Sequence, residues 1–140
     1  MIIQTRVPNH HAVQCAVDHD YQRFVTRELE GRRDPPYPPT VRLANVVFSG
    51  TREEPVSKLA IDTAERLQGM LARQSSDVAI VGPARCPVER IKNRWRWHFM
   101  IKSRSSAQMT TVCGWLASKL DVPSRGELRV IVDRDPVSLL

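Results

Sequence analysis

Hydrophobic and polar residues alternate with a period of two from Arg94 to Lys102, which predicts a β-strand with two chemically different faces. One face is apolar and consists of Trp95, Trp97, Phe99 and Ile101. The opposite face carries Arg94, Arg96, His98, Met100 and Lys102. We therefore expect the strand to place one side in a hydrophobic core and the other against an anionic partner.

The chain around this strand follows a regular plan. β-Branched and apolar runs predict four strands, over residues 41–49, 78–81, 94–102 and 127–133. Apolar residues at helical spacing predict two helices, one starting at Glu54-Pro55 and one capped by Ser105 or Ser106. Breaks between these elements are predicted at Ser49-Gly50, at Gln74-Ser75-Ser76, at Gly82-Pro83, at a loop containing Pro87 and at a turn over 123–126. The order β-α-β-β-α-β predicts an α+β, ferredoxin-like two-layer sandwich built on the split β-α-β motif.

The N-terminal residues follow a different pattern. Residues 1–5 predict a short strand that needs a neighbouring sheet, which favours a piece of something larger. Residues 10–30 predict one helix with Asn9 as its N-cap and Gly31 as its end. The four prolines of residues 34–39 predict an extended polyproline connector. We therefore expect an N-terminal arm, residues 1–39, and a compact domain, residues 40–140.

Charge is concentrated around the alternating strand. The chain carries 21 Lys and Arg against 15 Asp and Glu, a net charge of +6. The window 85–104 holds seven positive residues and one negative residue, so it accounts for the whole excess. A basic strand on an otherwise neutral chain indicates a polyanionic partner, and nucleic acid is the first candidate.

The predicted sandwich decides where this charge lies. Two helices cover one face of the sheet, and the apolar side of the alternating strand belongs beneath them. The opposite face then presents Arg94, Arg96, His98 and Lys102, with Arg90, Lys92 and Arg104 beside them. A solvated face with cross-strand ion pairs to Glu127 or Asp133 is the alternative interpretation.

Motifs of catalysis do not occur in the sequence. It has no GxxxxGK[ST] loop, no GxSxG, no HExxH and no kinase signature. Acylphosphatases share the predicted fold, but the glycine-rich phosphate loop is missing here. Neither an enzyme nor a cofactor is expected.

Metal and membrane sites are not expected either. Cys15, Cys86 and Cys113 form no CxxC pair and are expected to be core residues of a cytoplasmic protein. The Asp133-Arg134-Asp135-Pro136 segment is a weak candidate for a divalent cation, and we expect it to bind backbone amides of a terminal turn instead. No apolar run is long enough for a membrane span.

Six segments, taken in order, resemble the C-terminal region of the primosomal protein N′ family, the bacterial replication-restart helicases. The family pattern DYxxFxxxELxxR…YPP is matched in the arm, and the remaining segments lie in the domain. The segments are residues 18–24, 28–33, 37–39, 81–84, 94–97 and 133–136. Arg134 departs from the family pattern, which has an apolar residue there, and residues 105–108 lack a basic residue.

The resemblance implies a division of roles. Residues 1–30 are similar to the tail of a helicase lobe, and residues 40–140 are similar to the family's C-terminal domain, which resembles a small ribosomal-subunit protein and binds DNA at forks. The ATPase motifs and zinc-binding cysteines of the family lie outside this region. Single-strand-binding protein and other primosome components are implied partners, and association with the nucleoid is the implied location.

Three hypotheses follow for the function. The first is a domain that binds single-stranded or branched DNA, mainly through the backbone, by way of Arg94, Arg96 and Lys102. The second is a protein-docking domain that contacts helicase lobes or single-strand-binding protein. The third is an RNA-binding or ribosome-associated domain of the same fold.

Overall fold

The computed structural model describes residues 2–74, 76–120 and 127–137 of the 140-residue chain. Contacts between residues cluster into two units, Met1–Thr40 and Val41–Leu140. Among the described residues, no helix combines the length and apolarity needed to cross a membrane. The predicted turn at residues 123–126 lies outside the described residues.

The first unit contains two helices where the sequence predicted one. Helix α1 spans His11–Val17 and helix α2 spans Tyr21–Gly31. The break falls at His19, whose φ of 54° is left-handed, and Asp20 then caps α2 by accepting a hydrogen bond from the Arg23 amide at 2.9 Å. Short polar side chains satisfy backbone amides locally, so this polar segment ends one helix and begins another.

Three other predictions for this unit were wrong. Residues 2–5 form no strand, and the N-cap of α1 is His10, whose Nδ1 accepts from the Ala12 amide at 3.3 Å. The proline segment is not an extended connector but a series of turns. Its backbone is closed by hydrogen bonds from the Tyr37 amide to the Arg32 carbonyl and from the Thr40 amide to the Tyr37 carbonyl.

The second unit has the predicted order of elements, which confirms the split β-α-β sandwich. The elements are β1 Arg42–Gly50, α3 Glu53–Leu71, β2 Ala79–Ile91, β3 Arg94–Ser103, α4 Ser106–Lys119 and β4 Leu128–Arg134. The four strands form one antiparallel sheet in the order β2-β3-β1-β4. Helices α3 and α4 pack on one side of this sheet.

The core lies between the sheet and these two helices. Register pairs Val46 with Phe99 and Ala44 with Ile101, and all four side chains are completely buried. The helices contribute apolar stripes that include Ala60, Leu67, Met109 and Leu116. Ser105 caps α4 as predicted, accepting from the Gln108 amide at 3.3 Å.

Strand β2 is longer than the sequence predicted. Gly82-Pro83 was expected to end it, but the strand continues to Ile91 through two register irregularities. Pro83 and Pro87 are accommodated because β2 is an edge strand, where a residue without an N–H need not pair with a neighbour. The predicted loop at Pro87 is therefore part of a β-hairpin whose turn is Lys92-Asn93.

Candidate nucleic-acid interface

The sheet side opposite α3 and α4, here called the open face, is built from cross-strand rows. Its first row is Arg96–Ser49–Arg129 and its second is Ala84–His98–Val47–Ile131. The next rows are Val81–Met100–Asn45–Asp133 and Ala79–Lys102–Leu43. Positive charge therefore dominates one end of this face, apolar residues occupy its middle, and Asp133 lies toward the β4 edge.

Three arginines, here called the arginine cluster, surround Ser49 at the end of β1. Arg96 and Arg129 are the register partners of Ser49 on its two sides, so their Cα atoms are about 10 Å apart across two strand spacings. Arg94 reaches the same place, because its Nη2 donates to the Ser49 carbonyl at 3.1 Å and to the Glu127 carbonyl at 3.0 Å. Carbonyl acceptors hold a guanidinium in position and carry no net charge of their own.

Arg96 also sets the electrostatics of the face beside it. Its Nη1 donates to the Val88 carbonyl at 3.3 Å. Burial lowers the pKa of His98, and the positive charge of Arg96 lowers it further. Burial raises the pKa of the Cys86 thiol, although Arg96 opposes that change. Both effects favour the neutral imidazole of His98, whose Nδ1 lies 3.0 Å from Oδ1 of the buried Asn45.

The other basic residues of the window lie around this face. Lys102 is half-buried in the last row, and Arg104 is exposed beyond β3, where its amide donates to Asp77 Oδ2 at 3.2 Å. Lys92 is exposed at the tip of the β2–β3 hairpin. Arg90 is exposed next to it and donates from Nη2 to Asn93 Oδ1. The structure thus brings Arg94 and Arg96 together and distributes the other cations along the hairpin.

The apolar side of β3 differs from expectation at one position. Phe99 and Ile101 are completely buried, and Trp97 packs against the core while its Nε1 donates to Glu53 Oε1 at 3.4 Å. Trp95 was predicted in the core as well, but it lies half-buried outside the core cluster. Its register partner on β1 is Gly50, the last residue of that strand, so Trp95 is at the margin of the helical layer.

Sequence reasoning missed Arg129 as a member of the arginine cluster. The signal was present, because Leu128, Val130 and Val132 alternate along the strand predicted over residues 127–133, and Arg129 lies between them. Their partial burial against the core turns Arg129 to the other side, where it is exposed. Only the pairing of β4 with β1 brings it to Ser49, since that register is not visible in the sequence.

The remaining candidate groups have simple surroundings. All three cysteines are free, with Cys15 and Cys86 buried. In the described ranges no three His, Cys, Asp or Glu side chains gather as metal ligands do. The Asp135 amide donates to the Leu43 carbonyl at 2.8 Å, and its carboxylate lies 3.7 Å from Arg134 Nε.

Comparison with known proteins identifies the family. Residues 33–137 match the family model described as the primosomal protein N C-terminal domain. The chain is 38% identical over 80% of its length to the replication restart protein PriA of Bacillus subtilis (strain 168), covering 14% of that protein. It is 33% identical over its full length to the protein of the same name from Treponema pallidum (strain Nichols), covering 20% of that protein.

The match covers most of an α+β sandwich that carries an arginine cluster at one end of its helix-free sheet side. The chain belongs to the primosomal protein N C-terminal domain family. This confirms the family resemblance found in the sequence. The chain spans about a fifth or less of the curated relatives it matches. The matching model describes a C-terminal domain, which is the region of the family that the sequence resemblance indicated.

Proposed function

We propose that residues 41–140 form a DNA-binding domain that acts in replication restart and holds single-stranded or branched DNA on the open face. The observation that carries this proposal is the arginine cluster, in which Arg94, Arg96 and Arg129 meet around Ser49. Guanidinium groups bind phosphates through charge-assisted hydrogen bonds, and backbone carbonyls fix the position of Arg94 and Arg96.

The distribution of charge between the two units supports the same conclusion. Residues 1–40 contain five Lys and Arg and five Asp and Glu, so their net charge is zero. Residues 41–140 contain sixteen basic and ten acidic residues and carry the whole excess of +6. An electrostatic footprint confined to one unit favours that unit as the site of contact with a polyanion.

Recognition of the backbone, not of base sequence, fits these residues. The open face is a sheet surface that carries cations and aliphatic side chains, and phosphate contacts position a strand without reading its sequence. If about four phosphates are neutralised, the affinity for single strands should fall as salt is added. A plot of log Kd against the logarithm of the salt concentration should then have a slope of about 3. A salt-independent affinity would contradict the proposal.

A pair of charge-reversed variants tests the location of the site. R96E/R129E and K58E/R66E change the net charge equally, but Lys58 and Arg66 are exposed on α3, on the other side of the sheet. We expect R96E/R129E to weaken binding of a labelled single-stranded or forked oligonucleotide by roughly tenfold or more, as the loss of several phosphate contacts should. The α3 variant should bind within about threefold of the unchanged chain, because distant exposed charges are screened.

The result can exclude the proposal in two ways. If both double variants lose the same affinity, binding depends on net charge and not on the open face. If neither loses affinity, the arginine cluster does not contact DNA. Circular dichroism of both variants establishes that the comparison is between folded proteins.

Exposed apolar residues favour a second candidate function, docking of a partner protein such as single-strand-binding protein. Ile131 is 60% exposed on the open face, and Val81 in the neighbouring row is 44% exposed. The variant I131K separates the two functions, because it adds a cation and removes an apolar contact. DNA affinity should be kept or increased by I131K, whereas an apolar protein contact there should be lost.

An RNA-binding or ribosome-associated role is the third candidate and is tested by competition. We expect forked or single-stranded DNA to displace a bound DNA probe at lower concentration than an RNA of the same sequence. Stronger competition by RNA would indicate that the open face binds RNA in preference to DNA. The proposed association with the nucleoid depends on the DNA-binding result, whereas the protein partner depends on the result for I131K.

A further inference from the structure

A half-buried aromatic ring, that of Trp95, lies near the end of the β2–β3 hairpin. Trp95 is half-buried and outside the core cluster, although Phe99 and Ile101 on the same side of β3 are completely buried. Arg90 lies over this ring, with its Cζ 5.1 Å from the ring centroid. Arg90 itself is an exposed residue of the edge strand, so the ring face beneath it is separated from solvent by a flexible side chain.

The hairpin also carries positive charge near this ring. Lys92 and Asn93 form its turn, with φ values of 48° and 62°, and Lys92 is exposed there. Arg90 lies two residues before Lys92 on β2 and is the register partner of Trp95. An aromatic face beside cations is the combination that sequence-tolerant single-strand binding uses, because bases stack on the ring while cations hold the phosphates.

We propose that Trp95 is a stacking site for one unpaired base of the bound DNA strand, with Arg90 and Lys92 holding the phosphate beside it. This site rests on the proposed DNA-binding function and adds a contact that the arginine cluster does not provide. An unpaired base displaces Arg90 from the ring, because an exposed cation–π contact is weaker than base stacking on an aromatic side chain. Trp95 lies on the opposite side of the sheet from Arg96. A DNA strand that contacts both residues therefore passes around the end of the β2–β3 hairpin.

Fluorescence of single-tryptophan variants of the full chain tests the contact directly. The chain has three tryptophans, and W97F/W115F leaves Trp95 as the reporter, while W95F/W97F leaves Trp115 on α4 as the matched control. Both are titrated with an oligothymidine single strand, and binding is measured independently by anisotropy of a labelled oligonucleotide. We expect emission of Trp95 to be quenched as the strand binds and emission of Trp115 to stay constant.

A second variant keeps the test independent of the double substitutions. W95L in the otherwise unchanged chain removes the ring and retains an apolar side chain. Its affinity for the single strand should fall at least about fivefold, the loss of one stacked base. Its affinity for a blunt duplex should stay within about twofold, because paired bases do not stack on a protein ring.

The outcomes separate this site from the proposed function. If the single strand binds but Trp95 emission is unchanged and W95L binds normally, the stacking site is wrong and the DNA-binding function stands. If neither the unchanged chain nor W95L binds DNA by anisotropy, the proposed function fails and the stacking site fails with it. Equal quenching of Trp95 and Trp115 would also overturn the proposal, since it would report a general effect of the oligonucleotide.

Discussion

Single residues decide how closely the layers of the sandwich approach each other. Gly50 ends β1 between α3 and the start of β4. A Cβ atom built there would lie 2.7 Å from Val56 Cγ2, 2.8 Å from Leu128 Cδ2 and 2.9 Å from the Glu127 carbonyl oxygen. The absence of a side chain therefore permits this packing, and the backbone carbonyl cannot move aside as a side chain can.

The substitution G50A should destabilise the protein by about 1–3 kcal/mol, the usual cost of adding a methyl group to a packed site. Its matched control is G114A in α4, where an added Cβ would meet nothing within 4 Å. That control should stabilise by about 0.5–1 kcal/mol, since alanine favours a helix interior. Urea denaturation of both variants measures the difference, and a neutral G50A would contradict the packing described here.

His98 gives a prediction about pH. Burial and the charge of Arg96 lower its pKa from the ordinary value of 6.5. As pH falls below that value, the unfolded chain binds the proton before the folded chain does, so the free energy of unfolding decreases. We expect the unchanged protein to lose more stability between pH 7 and pH 5 than the variant H98Q, measured by urea denaturation. An identical pH dependence of the two proteins would show that His98 titrates alike in both states.

At the scale of elements, a polar clip joins β4 to α4. Arg134 donates from Nη1 to Thr110 Oγ1 at 2.8 Å and from Nη2 to Ser106 Oγ at 2.9 Å. Arg134 lies on the helix side of β4, at the register position of Ala44. This gives a physical reason for an arginine at a place where the family pattern has an apolar residue: it attaches the first turn of α4 to the edge strand.

The variant R134A should cost about 1 kcal/mol of stability, the typical net value of such hydrogen bonds. R129A on the same strand is the control, because its side chain lies on the open face and should change stability by less than about 0.5 kcal/mol. Thermal and urea denaturation compare the two. Equal stability of both variants would mean that the clip contributes nothing measurable. For DNA affinity we expect the opposite ranking, with R129A binding DNA more weakly than R134A.

The elements themselves were predictable to the extent that hydrophobic periodicity determined them. Alternation located β3, and Leu128, Val130 and Val132 indicated β4, because each strand has one buried face. Periodicity failed at the helix break near His19 and at the end of β2. In the first case local capping by Asp20 overcame the helical pattern. In the second, the edge position of β2 tolerated two prolines that would end a central strand.

For the whole molecule, the separate clustering of the two units leads to a prediction about a fragment. Residues 41–140 contain the complete core cluster and all of the net positive charge. We expect this fragment to unfold cooperatively and to bind a single-stranded oligonucleotide within about threefold of the full chain, since phosphate contacts dominate affinity. A fragment that is folded but does not bind would show that residues 1–40 contribute to the interface.

The sequence alone determined the order of elements in the second unit, the alternation of β3 and the family, because each depends on residue type at a fixed spacing. The tertiary structure decided which residues meet. It paired Arg129 with Ser49 beside Arg96, and it left Trp95 at the margin of the core with Arg90 over its ring. Register between strands and the edges of a packed layer depend on contacts between residues far apart in the chain, and a one-dimensional pattern does not contain them.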